Sequence, residues 1–104
     1  MVDMNKLLKE AQKMQQRMEK MKEEVAGEEI SHSSGGGMVT ATINGNHELV
    51  DLKIDPEVID PEEKEMLEDM IIAAINGANE KIDKYVQEKF GELSGGMGGI
   101  PGLM

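Results

Sequence analysis

The fold of this chain follows from residues 38–54, MVTATINGNHELVDLKI. Apolar and polar residues alternate on both sides of Asn44-Gly45-Asn46, and a repeat of two is typical of strands with one buried face. The predicted inward-facing residues are Val39, Ala41 and Ile43, then Val50, Leu52 and Ile54. A two-residue loop, Asn44-Gly45 or Gly45-Asn46, keeps both sets on one face, whereas a three-residue loop opposes Val39 to Asp51. The pattern therefore predicts a hairpin with a two-residue turn.

A weaker strand precedes this hairpin. Residues 28–34 place Ile30 and His32 on one side, and the glycine-rich Ser33–Gly37 allows the chain to reverse. The three strands form a predicted antiparallel meander with one apolar face. Such a sheet is unstable in water unless another element covers it.

A long second helix supplies that cover. Asp60-Pro61 predicts its start, with Asp60 as the N-cap and Pro61 in the first helical position. Its apolar stripe comprises Met66, Leu67, Met70, Ile71, Ala74, Ile75, Ala78, Ile82, Tyr85, Val86, Phe90 and Leu93. We expect the helix to end at Gly91 or at Ser94-Gly95. One α+β domain is thus predicted over residues 1–93, with a flexible Gly/Met-rich tail over 94–104.

The first segment has a heptad pattern. Apolar residues separated alternately by three and four positions are Met4, Leu7, Ala11, Met14, Met18, Met21 and Val25. A repeat of 3.5 favours a helix that packs along another helix over its whole length. We call the first six residues the apolar seam and predict that it lies in the core or in a dimer contact. Because methionine is flexible, a groove for variable partner helices is the alternative.

A basic stripe lies opposite this seam on the first helix. It consists of Lys6, Lys9, Lys13, Arg17 and Lys20. The 104-residue chain has a net charge of −10, yet residues 1–22 carry six basic and three acidic side chains, whereas residues 23–104 carry five and eighteen. This asymmetry indicates a nucleic-acid or membrane contact made by one segment, or simply a solvated helix. Since no aromatic residue interleaves the stripe, a nucleic-acid contact would be to duplex phosphates.

The sequence gives little support for a catalytic, metal-binding or membrane-spanning role. The chain has no cysteine, and its two histidines, His32 and His47, stand in no catalytic or metal-ligand motif, so we expect strand-surface and turn roles for them. The acidic residues between Asp55 and Asp69 do not form a calcium loop. We therefore predict a protein that is not an enzyme, without metal or cofactor. No stretch resembles a signal peptide or membrane span, which predicts a soluble, cytoplasmic protein.

The combined pattern resembles a known family. The element order, the run Ser34–Gly45 followed by Leu49–Pro56, the opening Met-rich helix and the Gly/Met tail are similar to the bacterial YbaB/EbfC family of nucleoid-associated proteins. This resemblance covers essentially the full chain. It implies a tweezer-like or intertwined homodimer that binds double-stranded DNA, helps to organise the nucleoid and affects gene regulation.

The resemblance and the charge pattern meet on the first helix. In a homodimer the basic stripe occurs twice, so two arms would straddle a duplex while the acidic body stays away from it. The alternative is a Met-rich adaptor or chaperone-like module that binds protein segments and not DNA. Recombination, repair or other nucleoid proteins are further possible partners.

Overall fold

Along the chain, three short strands lie between two long helices. Helix α1 spans Met4–Gly27, strands β1, β2 and β3 span Glu29–Ser34, Val39–Asn44 and Leu49–Ile54, and helix α2 spans Lys64–Gly95. These bounds come from a computed structural model, which describes residues 3–95. The strands form one antiparallel sheet in the order β1-β2-β3, so the predicted α-β-β-β-α fold is confirmed. The predicted tail lies outside the described residues beyond Gly95, and the helix passes Gly91 without ending.

The hairpin turn differs from the prediction. The backbone N–H of Asn44 donates to the carbonyl of Glu48 at 3.0 Å, which encloses a three-residue loop. Within it, the N–H of His47 donates to the carbonyl of Asn44 at 2.9 Å, and His47 has a positive φ of 62°. A tight turn followed by a left-handed residue is a common three-residue hairpin connection. The predicted two-residue turn is therefore wrong.

A β-bulge compensates for the odd loop length. Thr42 pairs with Asp51 but Ile43 pairs with Leu49, so Val50 is an extra residue in β3. Without this bulge, Asp51 would lie opposite Ala41 on the covered face. With it, Leu52 and Ile54 share that face, whereas Val50 is 45% exposed. The prediction that Val50 points inward is wrong, because a register rule without bulges assigns it to the wrong face.

Helix α2 begins at Lys64, three residues after the predicted first helical position Pro61, and forms the core with β2. The side chain of Asp60 accepts a hydrogen bond from the N–H of Glu62 at 3.0 Å, and a short 3-10 turn over Pro61–Glu63 leads into the helix. The fully or almost fully buried residues are Val25, Val39, Ala41, Ile43, Ala74, Ala78 and Ile82. The small alanines let the helix backbone approach the sheet closely. On the opposite face, hydroxyl pairs of Ser31 with Thr42 and Ser33 with Thr40 leave a polar surface.

One flank of α2 faces β1. The Ser34 hydroxyl donates to the carbonyl of Met70 at 2.5 Å, and Lys81 Nζ lies 3.4 Å from the carbonyl of Ser31. Between these contacts, Gly77 lies against the ring of His32, which is half-buried on the covered face and not at the strand surface we expected. Helix α2 packs mainly on β1 and β2 and makes few contacts with β3. The flank of α2 opposite these β1 contacts therefore lies on the side of β3.

Helix α1 is attached mainly at its C-terminal end. Its only buried residue is Val25, whose carbonyl oxygen occupies the space where a Cβ on Gly45 would lie. At 1.5 Å per residue, its 24 residues extend about 36 Å. The molecule measures 75 × 27 × 16 Å, which is longer than either helix alone. The first helix is thus an extended arm anchored at the hairpin loop.

The close contact at Gly77 makes a testable prediction. We expect Gly77→Ala to destabilise the protein by about 1–3 kcal/mol, because the new methyl group collides with the His32 ring. Gly91→Ala is the matched control in the same helix, where a Cβ meets nothing within 4 Å. It should stabilise the protein by up to about 1 kcal/mol through helix propensity. Urea unfolding measures both, and equal effects at the two glycines would contradict the packing described.

Candidate nucleic-acid interface

The predicted basic stripe lies along the exposed surface of α1. Five side chains are all exposed: Lys6, Lys9, Lys13, Arg17 and Lys20. At about 100° per residue they fall on the helix face opposite the apolar seam. The side chain of Asp3 caps the helix by accepting from the N–H of Asn5 at 3.0 Å. A regular helix therefore presents these cations in a row.

The apolar seam on the other face of α1 is also largely uncovered. Met4, Leu7, Ala11 and Met18 are exposed, and Met14 and Met21 are half-buried. Met4 keeps 68% of its surface accessible and Leu7 keeps 46%. Val25 is the first residue of α1 that the rest of the chain buries almost completely. The core of one chain therefore leaves most of the seam open to a partner.

Electrostatics distinguish the arm from the body. Over residues 3–95, the only ion pair within 4.0 Å joins His47 to Asp83, with His47 Nε2 and Asp83 Oδ1 2.5 Å apart. Among these residues, the five cations of the basic stripe thus have no carboxylate partner. Exposed acidic residues occur on α1 as well, at Glu10, Glu19, Glu23 and Glu24, and five more lie close together in the 3-10 turn and the first turns of α2, at Glu62, Glu63, Glu65, Glu68 and Asp69. An anionic ligand would be attracted to the arm and repelled by this part of the body.

The length of the stripe suits a duplex. From Lys6 to Lys20 the helix rises about 21 Å, which corresponds to about six base pairs at 3.4 Å each. In protein–DNA complexes, lysine and arginine contacts to phosphate oxygens set position and orientation and carry no direct sequence information. Because the stripe is on a regular helix, its cations are held at repeating intervals along the polymer.

The two histidines lie apart from the basic stripe, and no metal-binding cluster is found in the part of the chain that is described. His47 contacts Asp83 at the hairpin turn, and His32 lies under α2. Among residues 3–95, no cluster of three or more His, Asp or Glu side chains is placed to hold a metal ion. Neither described helix is both long and apolar enough to cross a membrane.

Sequence reasoning missed one polar residue of interest, Asn79. Helical periodicity places it on the flank of α2 away from the β1 contacts of Gly77 and Lys81, and its Oδ1 atom is buried with no hydrogen-bond partner among the described residues. The signal was present in the sequence, because Ile72, Ile75, Asn79, Ile82 and Val86 follow one another at spacings of three and four. Asn79 is the one polar member of that series.

Comparisons with known proteins agree with the charge pattern. A family model described as the YbaB/EbfC DNA-binding family matches residues 1–97. A nucleoid-associated protein from Rhodococcus opacus is 47% identical over 103 residues, covering 97% of this chain and 91% of that protein. One from Streptomyces griseus is 48% identical over 104 residues, with the same coverage. One from Acetivibrio thermocellus is 45% identical over 101 residues, covering 97% and 89%.

The fold also matches a solved structure. The crystal structure of an uncharacterized protein, HP0035, from Helicobacter pylori is similar with a TM-score of 0.67 and 30% identity. The match covers 95% of this chain and 100% of that one. The arrangement of arm, sheet and long second helix is therefore shared with an experimentally determined protein.

Proposed function

Since the chain belongs to the YbaB/EbfC DNA-binding family, we propose that it acts as a homodimer that binds double-stranded DNA through the basic stripe of α1. Its place would be the bacterial cytoplasm, on the nucleoid, where it contributes to nucleoid organisation and gene regulation. The observation that supports this role is the row of exposed cations, without ion-pair partners among residues 3–95, on an arm of an otherwise acidic molecule. The role is one of binding and not of catalysis.

The charge distribution sets how DNA would be held. Residues 1–22 have a net charge of +3 and residues 23–104 a net charge of −13, so a duplex can approach the arm but not the body. Contacts to phosphates fix position and orientation without selecting a sequence. We therefore expect weak sequence preference and strong dependence on salt.

Dimerisation would increase the strength of this contact. A single arm offers five cations over about 21 Å, whereas a two-fold dimer offers ten on two arms. The single chain also leaves large apolar side chains exposed on α1 and β3, including Met4, Leu7 and Leu49. Burial of such side chains favours association. Two arms joined in this way can hold opposite sides of one duplex.

The test combines mass and binding on the full chain. We expect light scattering to give twice the chain mass, and fluorescence anisotropy to show binding to a duplex of about 30 base pairs that weakens as salt rises. Unrelated duplex sequences should bind within a few-fold of one another. A single-chain mass at all concentrations would contradict the homodimer, and absence of duplex binding at low salt would contradict the DNA role.

An adaptor or chaperone-like module is the second candidate. The observation that favours it is the exposed apolar surface of α1, where Leu8 is 57% exposed and Met18 is 38% exposed. Such a module would bind apolar peptide segments with little dependence on salt, and truncation at Ser94 or loss of the seam methionines would damage it.

A further inference from the structure

Methionine is concentrated on the apolar seam of α1. The chain has ten methionines. Three of them lie outside the described residues, and four of the other seven belong to the seam: Met4, Met14, Met18 and Met21. The chain contains no cysteine, so the thioether of methionine is the only sulfur that it offers to an oxidant. Most of the described thioethers are therefore on one face of one helix.

The single chain leaves this methionine surface accessible. Met4 is 68% exposed and Met18 is 38% exposed, whereas Met14 and Met21 are half-buried. Susceptibility of a sulfur to oxidation follows its exposure. A chain that is not associated with a partner therefore presents the seam to oxidants along most of the arm.

The spacing of the seam indicates that a helix covers it. Its residues alternate by three and four positions from Met4 to Met21, and this repeat of 3.5 suits a partner helix packed along the whole length. The same chain buries α1 only at its C-terminal end, at Val25. In the homodimer of the proposed function, the arm of a second copy offers a helix of equal length with an identical seam.

Peroxide changes the chemistry of such a seam. One oxygen atom passes from hydrogen peroxide to the thioether sulfur, the O–O bond breaks as the S–O bond forms, and water leaves. The sulfur loses the two electrons that the peroxide gains. The resulting sulfoxide is polar, so its burial without a hydrogen-bond donor costs free energy. Methionine sulfoxide reductases restore the thioether with electrons from a dithiol, which becomes a disulfide while the oxygen leaves as water.

We propose that the seam methionines of α1 are a redox-sensitive modification site, where oxidation by hydrogen peroxide prevents two chains from associating and reduction restores the association. This inference rests on the homodimer of the proposed function. Because a partner's seam shields the sulfur atoms, oxidation proceeds on the dissociated chain and prevents it from pairing again. Loss of the second arm then weakens duplex binding, although no cation of the basic stripe has changed.

The test replaces the sulfur without replacing the apolar surface. Leucine is close to methionine in volume and cannot form a sulfoxide. The seam variant carries Met4→Leu, Met14→Leu, Met18→Leu and Met21→Leu in the full chain. Met66→Leu is the matched control, since Met66 is 49% exposed on α2 and outside the seam. Each protein is compared with its own untreated form after exposure to hydrogen peroxide and removal of the excess.

Sedimentation equilibrium gives the expected contrast. Peroxide should raise the dimer dissociation constant of the wild type and of Met66→Leu at least about 100-fold, and that of the seam variant less than about 3-fold. Methionine sulfoxide reductases with a dithiol should return the oxidised wild type to its untreated dissociation constant and duplex affinity. Far-UV circular dichroism checks that the oxidised chain remains helical.

The rate of oxidation provides a second measurement, which needs no variant. Mass mapping of peptides follows sulfoxide formation at Met4, Met18 and Met66 as the protein concentration is raised through the dissociation constant. The rates at Met4 and Met18 should fall in proportion to the dissociated fraction, while the rate at Met66 stays constant.

The contradicting results are distinct. A wild type whose seam is oxidised but whose dissociation constant is unchanged contradicts the redox site and leaves the homodimer standing. Equal losses in the wild type and the seam variant, or loss of helical signal on oxidation, would place the sensitive group outside the seam and contradict the proposal. Rates at Met4 and Met18 that do not depend on protein concentration would contradict shielding by a second copy. A wild type that is monomeric before treatment contradicts the homodimer as well.

Discussion

Replacing Lys9 and Lys13 with glutamate is expected to weaken duplex binding at least about 100-fold at 0.1 M salt. Both side chains are exposed near the middle of the basic stripe, and neither has an ion-pair partner in the described part of the chain. Each phosphate contact contributes about 0.9 to log K for every tenfold decrease of salt below 1 M. A dimer carries four altered side chains, so loss of only two contacts removes about 1.8 log units. Repulsion of phosphates by the new carboxylates adds to the loss.

The control for this variant has the same net charge. Lys64→Glu with Lys84→Glu reverses two exposed lysines of α2, outside the stripe. We expect it to bind duplex within a few-fold of the wild type, with both variants keeping wild-type helicity and dimer mass. Fluorescence anisotropy titrations compare them. Equal losses in the two variants would mean that net charge, and not the stripe, governs binding, and unchanged affinity in the first would move the contact elsewhere.

Truncation of Ile82 is expected to produce the largest loss of stability. Its side chain has 0% exposure and lies between α2 and the sheet, in contact with the cluster formed by Val39, Ala41 and Ile43. Ile82→Ala removes three buried carbons and leaves a cavity, which costs about 2–5 kcal/mol. The total stability of a domain is about 5–15 kcal/mol, so a large fraction is lost.

Ile59→Ala is the matched control, because Ile59 is 58% exposed. The same chemical change there should alter the free energy of unfolding by less than about 0.5 kcal/mol. Thermal and urea unfolding of the full chain measure both variants. If Ile82→Ala unfolds at the same urea concentration as Ile59→Ala, the packing of α2 on β2 described above is incorrect.

Much of the architecture could be predicted because local signals agreed with one another. The alternation around Val39 and Leu52 fixed the strands, and the Asp60-Pro61 start located the second helix. The hairpin turn could not be predicted, because the three-residue loop and the bulge each shift the strand register by one residue and the two shifts cancel. His47 adopts a left-handed conformation and Val50 forms a bulge. Histidine and valine occur in many other conformations, so neither residue type predicts these features.

The basic stripe was predictable for a different reason. Its residues lie on a long regular helix that touches little else, so helical periodicity alone places Lys6 and Lys20 on one face. The sequence could not predict whether the apolar seam packs in the core of its own chain or is left for a partner. That outcome depends on the direction in which α1 extends from the sheet. That direction is set by the contact of Val25 with the hairpin loop at Gly45, which links residues distant in sequence.

The flank containing Asn79 shows a further limit of periodicity. An apolar stripe is identified by its apolar members, so a polar residue inside the series is passed over as an interruption. Only the structure shows that its Oδ1 acceptor is buried, with no donor within hydrogen-bond distance in the described part of the chain. Which flank of α2 remains open follows from contacts to β1 that no local pattern encodes.

The salt dependence of duplex binding by the wild-type protein tests the central claim most directly. If the arms of a dimer bind DNA through about five to eight phosphates, a plot of log K against log salt should have a slope of about −5 to −7. Fluorescence anisotropy between 50 and 300 mM salt, a range of about 0.8 log units, is sufficient to measure it. A slope in that range is the predicted result, and a slope near zero would contradict binding through the basic stripe.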